Sequence, residues 1–461
     1  MTSKLLTKLL LLRVIMLGEL KTVLSVFLLI PLIGLVGLVF SFSLRFVQCT
    51  HALKAWRFFF KDRDHSGKRA SSFSAVSAVL GGNLGTGNIS GIAVALTMGG
   101  PGAIFWMWIM ATLGSILKFV GCTLGIMYRK KNSKGQFVGG PMYYLANGLG
   151  LKKMGKIYCV LAILAAVTVG NLVQMNSLAL PFIQAGIEPY YIGIVMSLLV
   201  AGVIFGGLKR FSQVASFVVP FLALGYILSC LIILLLHFDK ILPATHLIFS
   251  AAFDSHAVAG AVLGYAVIEA IRVGFDRGVF ATDIGIGIDA IVHSSVECEN
   301  KSSLTEMALK QGLISTLSPL IVMLVCTLTG LVLLTTGAWQ SVGIESTNLC
   351  VDAFRRGFGF DWAGQIITVT LFFFAFTTIL TWSFCADKAI EYLFSEKWIK
   401  PFQCLFVCFI PFGAYLQVSA VWTLADIFMN LMVIVNMCGL IGLYKKVATL
   451  YRTPERKSVF A

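Results

Sequence analysis

Charge is scarce in this chain. Asp, Glu, Lys and Arg make up 12% of its 461 residues, about half the share of a soluble globular protein. With 58% hydrophobic residues and a mean hydropathy of +0.88, that scarcity excludes a soluble domain and points to a polytopic membrane protein. Acids are scarcer than bases, 21 against 36. In a soluble protein such an excess would suggest nucleic acid, but here the bases cluster in short loops between apolar runs, where they set topology. No nucleic-acid partner is expected. The 11 cysteines include no CxxC pair and no Cys/His set at metal-ligand spacing, which argues against zinc and disulfides. Cys404 and Cys408 share a helix face and read as packing. The six histidines, His51, His65, His237, His246, His256 and His293, form no cluster near one interface, so a membrane enzyme is not expected. A channel would need a repeated filter loop or an oligomeric ring, and no such loop is visible. Nor does the N-terminus read as a cleaved signal: Lys4, Lys8 and Arg13 interrupt any apolar core and no small-residue cleavage site follows. It reads as a basic interfacial helix.

Long apolar runs are what the chain has instead. About eleven stretches meet the roughly 20-residue requirement for a bilayer crossing: about 23–47, 73–98, 101–127, 157–183, 191–206, 214–238, 257–294, 311–336, 362–392, 401–418 and 422–444. Basic loops at 51–69, 128–156 and Lys209-Arg210, and the tail 445–461, fall on one side under strict alternation, which assigns that side to the cytoplasm. Residues 1–50 form an interfacial segment with one extra span. Spans two to six (72–238) and seven to eleven (257–444) make two sets of five. Odd-numbered sets on one chain have opposite topology, the geometry of inverted-repeat transporters. The expected fold is an all-α polytopic membrane protein with a 5+5 inverted repeat.

The second span contains Gly81-Gly82-Asn83-Leu84-Gly85-Thr86-Gly87-Asn88-Ile89-Ser90-Gly91, with Gly-Thr-Gly near its middle. Glycine costs about 1 kcal/mol relative to alanine inside a helix, and unpaired amides find no water in lipid. Two readings fit: a discontinuous helix whose loose backbone groups bind a solute or ion, or close packing of helices through small residues. The leading span of the second set also holds a Gly-x-Gly, in Asp283-Ile284-Gly285-Ile286-Gly287. Interruptions at corresponding positions of two halves point to a transporter binding site, which favours the first reading.

Intramembrane polar groups add candidates. Gln174 lies mid-span and carries both a donor and an acceptor, for a solute's amine or carboxylate or for an interhelical bond; Asn171 and Asn176 flank it. Thr377, Thr378, Thr381 and Ser383 form a hydroxyl-rich stretch suited to a hard cation, or to back-bonding within their own helix. Glu269, Arg272, Asp276 and Arg277 are expected to pair with one another or with neighbouring helices. Asp283 and Asp289 are candidates for cation or proton coupling. Lys118 has no acid one turn away and either snorkels or pairs with another helix.

Several motifs in order along nearly the whole chain resemble the alanine or glycine:cation symporter family, the sodium:alanine symporters. They are Gly85 to Gly91, Gly99-Gly100-Pro101-Gly102-Ala103-Ile104-Phe105-Trp106-Met107-Trp108, Gly139-Gly140-Pro141-Met142-Tyr143-Tyr144, Gly170 to Ser177, Gly206-Gly207-Leu208-Lys209-Arg210, Phe376 to Ser383, and Trp422-Thr423-Leu424-Ala425-Asp426. The resemblance implies the leucine-transporter fold with one extra N-terminal span, and uptake of small neutral amino acids such as alanine or glycine with sodium as the co-transported ion. It implies no organic cofactor. Thr86 and Gly87 would contact substrate from the first break, with Gln174 reaching it, Trp382 walling the pocket, and Gly285 and Gly287 lining it from the second break. Thr377 or Thr378 would complete a sodium site with carbonyls near Gly82 and Asn83.

The chain departs from the family at the second break. Where the family usually reads Ser-Asn-Glu-Ala-Gly-Leu-Gly-Ser-Ala, this chain reads Ala281-Thr282-Asp283-Ile284-Gly285-Ile286-Gly287-Ile288-Asp289, and Gly121 replaces a usual glutamate. Proton coupling through Asp283 or Asp289, another small solute, or a non-transporting homologue are the alternatives.

Overall fold

The computed structural model describes residues 16–61, 72–253, 265–297, 303–452 and 459. Lys4, Lys8, Arg13, the second half of the 51–69 loop, the start of the 257–294 span and most of the 453–461 tail lie outside them.

Among the described residues seven helices are long and apolar enough to cross a membrane. They are α1 (Met16–Ser43), α5 (Gly102–Met127), α7 (Lys152–Gln184), Phe217–Leu236 within α9 (Gly207–Leu236), α13 (Leu304–Thr335), Asp361–Leu393 containing α15 (Gly364–Leu393), and α17 (Val418–Leu450). Shorter helices fill the places between: α2 (Ala52–Lys61), α3 (Ser72–Asn83), α4 (Ser90–Gly99), α6 (Pro141–Gly148), α8 (Pro189–Ile204), α10 (Phe238–Phe253), α11 (Tyr265–Thr282), α12 (Ile288–Ser294), α14 (Thr347–Phe358) and α16 (Ile399–Gly413). The chain is an integral membrane protein. Phe27, Leu35, Val39 and Phe42 on α1 and Phe217, Phe221 and Leu235 on α9 point outward, an apolar exterior suited to lipid.

Local chemistry sets several boundaries. Pro189 and Pro141 open α8 and α6 at the first helical position, where a missing N–H costs nothing. Ser303 caps α13 by accepting the Glu306 N–H at 3.1 Å, satisfying one orphan donor.

Segments read as loops carry structure of their own. The 128–156 loop contains a two-strand ladder, β1 (Lys130–Lys131) against β2 (Phe137–Val138), followed by α6. The 337–361 loop contains α14, and the segment after 238 is α10. The helix of the first span is already formed at Met16, ahead of the start near 23 expected from sequence. Hydropathy averages miss these short helices because polar faces dilute them.

Most of α5 is buried, and it packs against α11, α12 and α13. A Cβ at Gly37 of α1 would lie 2.4 Å from the Leu113 carbonyl oxygen, so α1 crosses α5 at backbone contact. On the other side, α15 packs against α3, α7 and α9. The two interrupted helices, α3/α4 and α11/α12, lie between these layers.

Candidate functional site

The first interruption forms because Gly85 leaves the helix. Its φ of −106° and ψ of −164° end α3, and one turn of 3-10 helix over Thr86–Asn88 leads into α4. The break is fully enclosed, with Thr86 and Asn88 showing no exposure. Its backbone polar groups are met by side chains from α7 and α13. The Gln174 Oε1 of α7 accepts from the Thr86 N–H and from the Thr86 hydroxyl, both at 3.0 Å. The Gln174 amide in turn donates to Val169 O at 3.0 Å, within a π-helical turn, Thr168–Leu172; such turns are frequent at functional sites. Thr329 of α13 donates to Asn88 O at 3.0 Å. Gly85 is tightly held: a Cβ there would lie 2.6 Å from Thr378 Oγ1 and 2.9 Å from Gln174 Oε1.

The hydroxyls of α15 divide into two sets. Thr378 donates to Gly81 O at 3.0 Å and Gly82 O at 3.2 Å, and Thr381 donates to Ala78 O at 2.9 Å. Together they face the carbonyls freed where α3 ends. Thr377, paired with Thr378 on sequence, instead turns its hydroxyl to Phe373 O and Phe374 O of its own helix. One residue on a helix is a rotation of about 100°, enough to exchange the two roles. Asn83 does not leave its carbonyl open: Asn88 donates to it at 2.5 Å, and the Asn83 amide donates to Thr282 O at 3.1 Å. That last bond ties the first break to the second.

Gly87 faces the ring of Phe280, where a Cβ would lie 2.6 Å from Cδ1. Phe280 packs on Trp422 at 4.6 Å between centroids, and the Arg277 guanidinium sits 4.7 Å from the Trp422 ring. The aromatic wall of the first break is therefore Phe280 and Trp422. Trp382 is buried at the α7–α15 crossing, where a Cβ on Gly170 would lie 2.2 Å from its own Cβ. Sequence reasoning missed Phe280, which carries no signal beyond an aromatic near the second break.

The second break holds Asp283, Gly285 and Gly287 at φ of 53°, 79° and 94°. The left-handed region is open to glycine and tolerated by Asp or Asn, which explains the residue types. Asn436 of α17 donates to Gly285 O at 2.7 Å, and Tyr158 of α7 donates to Ile286 O at 2.9 Å. A Cβ on Gly287 would lie 2.4 Å from Pro141, so the Gly-Gly-Pro motif seats the start of α12. Gly285 and Gly287 thus face α6, α7 and α17, whereas Gly85, Thr86, Gln174 and Thr378 converge on the first break.

Two charged groups surround these breaks. Lys118 of α5 pairs with Asp289 of α12 at 2.5 Å and donates to Ser318 at 2.9 Å, with both ions buried. On α11, Arg272 pairs with Glu269 and reaches Asp276 at 3.4 Å. Arg277 pairs with Asp426 of α17, and Lys21 of α1 pairs with Asp426 at 2.6 Å and with Asp276 at 3.8 Å.

The sequence model described as the sodium:alanine symporter family matches residues 12–458. The chain belongs to the sodium:alanine symporter family. The sodium/alanine symporter AgcS of Methanococcus maripaludis is 35% identical over 426 residues, 90% of this chain and 91% of its own. A Bacillus subtilis protein described as a putative sodium/proton-dependent alanine carrier, YrbD, is 33% identical over 92% of this chain and 88% of its own. The probable sodium/glutamine symporter GlnT of the same organism is 33% identical over 93% and 88%. Among solved structures, the Eremococcus coleocola manganese transporter matches with a TM-score of 0.50 at 14% identity, over 84% of this chain and 80% of that one. It shares the fold. Its cargo does not follow, and no group of three His, Cys, Asp or Glu able to hold a metal occurs among the described residues.

Proposed function

We propose that this chain is a sodium-coupled symporter that imports small neutral amino acids, alanine or glycine, across the plasma membrane by alternating access. The observation that carries the reading is the first break, where Gln174 Oε1 accepts both Thr86 donors. A carboxylate oxygen of an amino acid needs the same two donors, at the positive end of a half-helix, with Gly87 and Phe280 bounding the space beside them. The sodium ion would take the carbonyls of Ala78, Gly81 and Gly82 with the Thr378 and Thr381 hydroxyls. Those donors are all neutral, so the substrate's negative charge in a low-dielectric site would raise sodium affinity, and sodium would raise substrate affinity by the same factor.

The architecture we infer is eleven spans in a 5+5 inverted repeat. Two series of elements run in the same order and support it: interrupted pair, long, short, long, short, long, first over α3–α9 and again over α11–α17. The basic loops support a cytoplasmic C-terminus.

Uptake of alanine and glycine into proteoliposomes tests the reading. Thr86→Trp is expected to abolish sodium-driven uptake, and unchanged uptake overturns the placement of the substrate at the first break. Proton coupling is a second reading, favoured by the buried carboxylates Asp283 and Asp289. Uptake that persists without sodium and collapses with a protonophore would establish it.

A further inference from the structure

Between α5, the second break and α17 lies a small cavity lined by Lys118, Gly121, Cys122, Asp283, Asp289 and Asn436, among others. Its volume is about 10 Å³, room for one water or one small ion. Asp283 is 4% exposed, and among the described residues nothing donates to or pairs with its carboxylate. Asp289 spends one oxygen on Lys118, while its Oδ1 is buried without a partner.

The charges do not balance. Lys118 compensates one of the two carboxylates, leaving one negative charge enclosed in a membrane-spanning bundle. Such a charge persists only when paired or neutralised. The neighbouring side chains of α7 and α17 offer no such pairing, because Tyr158 and Asn436 donate to the carbonyls of the break rather than to the acids. No side chain projects from Gly121, and a Cβ there would meet only Leu440, at 3.7 Å.

We propose that this cavity is a monovalent-cation site, for a sodium ion or a proton, held by Asp283 with Asp289 Oδ1. It is separate from the oxygens that α3 and α15 supply. Lys118 fixes Asp289 and keeps the site at a single negative charge, so one monovalent cation neutralises it. Cys122 on α5, His293 one turn beyond Asp289 on α12, Tyr144 on α6, Tyr158 on α7 and Cys385 on α15 are the other titratable groups around the acids. α17 faces them with the Asn436 amide. Both ligands belong to the second break, so the ion would hold Asp283 against Asp289 and set the conformation of that break.

The inference rests on the transporter reading only for its consequence in uptake; its test does not use amino acid. Purified wild type, Asp283→Asn and Gly121→Met would be compared in nanodiscs by radioactive sodium binding and by infrared difference spectra on acidification. Asn tolerates the left-handed backbone of position 283, and Gly121→Met fills the cavity while leaving both carboxylates. If the cation is sodium, both variants bind one fewer sodium ion per chain than wild type. If it is a proton, sodium binding is unchanged in both variants, Asp283→Asn loses a protonated-carboxyl band, and Gly121→Met, which replaces the space beside the acids with apolar atoms, shifts that band. A folded variant with wild-type sodium stoichiometry and the wild-type band overturns the site. Where Asp283→Asn does not fold, Gly121→Met decides alone. Failure of alanine or glycine uptake would refute the proposed substrate without touching this result.

Discussion

Gly85→Ala isolates the geometry of the first break. At φ −106° and ψ −164° alanine is as much at home as glycine, so backbone strain drops out and only the added methyl acts. That methyl would lie 2.6 Å from Thr378 Oγ1 and 2.9 Å from Gln174 Oε1, both inside contact distance. Moving the Gln174 oxygen strands two donors, the Thr86 N–H and hydroxyl, in an enclosed site. An unsatisfied buried group costs about 1–3 kcal/mol, so two cost about 2–4 kcal/mol after partial relaxation, or about 30- to 1,000-fold in an equilibrium constant. Because the same methyl presses on Thr378, the apparent affinity for sodium should fall, whereas at saturating sodium the stranded Thr86 donors are free for a carboxylate and the apparent affinity for amino acid should rise. The assay is initial uptake in proteoliposomes across a matrix of the two concentrations. Gly225→Ala is the control, since nothing lies within 4 Å of a Cβ there. Sodium and amino-acid constants within twofold of wild type would refute the argued approach of α7 and α15 to Gly85.

Thr378→Val should weaken sodium activation about tenfold, about 1.4 kcal/mol, whereas Thr377→Val should stay within about twofold, because only the Thr378 hydroxyl faces the α3 carbonyls; sodium titration of uptake separates them. Lys118→Met breaks a buried ion pair and should cost about 3–5 kcal/mol of stability, read as a lowered melting temperature, with the double variant Lys118→Met/Asp289→Leu recovering much of it. Gly170→Ala forces a Cβ to 2.2 Å from the Trp382 Cβ, and overpacking should cost about 1–3 kcal/mol or more in the same melt. Asn83→Ala removes the bond to Thr282 O; transport should fall more than substrate binding does, seen by comparing uptake with equilibrium binding.

The interruption at Gly85–Gly87 was legible because glycine-rich backbone inside an apolar run has few physical explanations. The pairing of Glu269 with Arg272 was legible for a similar reason: charges one turn apart on a helix meet wherever the helix goes. What sequence could not deliver was contact between distant helices. Lys118 has no acid nearby on α5, and its partner Asp289 is found only once α12 is seated against α5. The choice between Thr377 and Thr378 depends on the rotation of α15 about its axis, which no residue pattern fixes. Trp382 illustrates the same limit: the family resemblance gave it as a pocket wall, and only the seated helices show it buried against Gly170 where α7 crosses α15.

The six charges that join α1, α11 and α17 carry an electrical consequence. Lys21, Arg272 and Arg277 stand against Glu269, Asp276 and Asp426, so the network is neutral as a body. Moving one elementary charge through 100 mV takes about 2.3 kcal/mol, a cost that a cluster without net charge escapes when it shifts along the field as a body. The membrane potential therefore has no grip on this joint. Its leverage falls on charges that are not matched, and the Lys21 ammonium of the N-terminal helix is what keeps the joint off that list: Lys21→Met would leave a carboxylate exposed to the field and make the resting carrier voltage-sensitive.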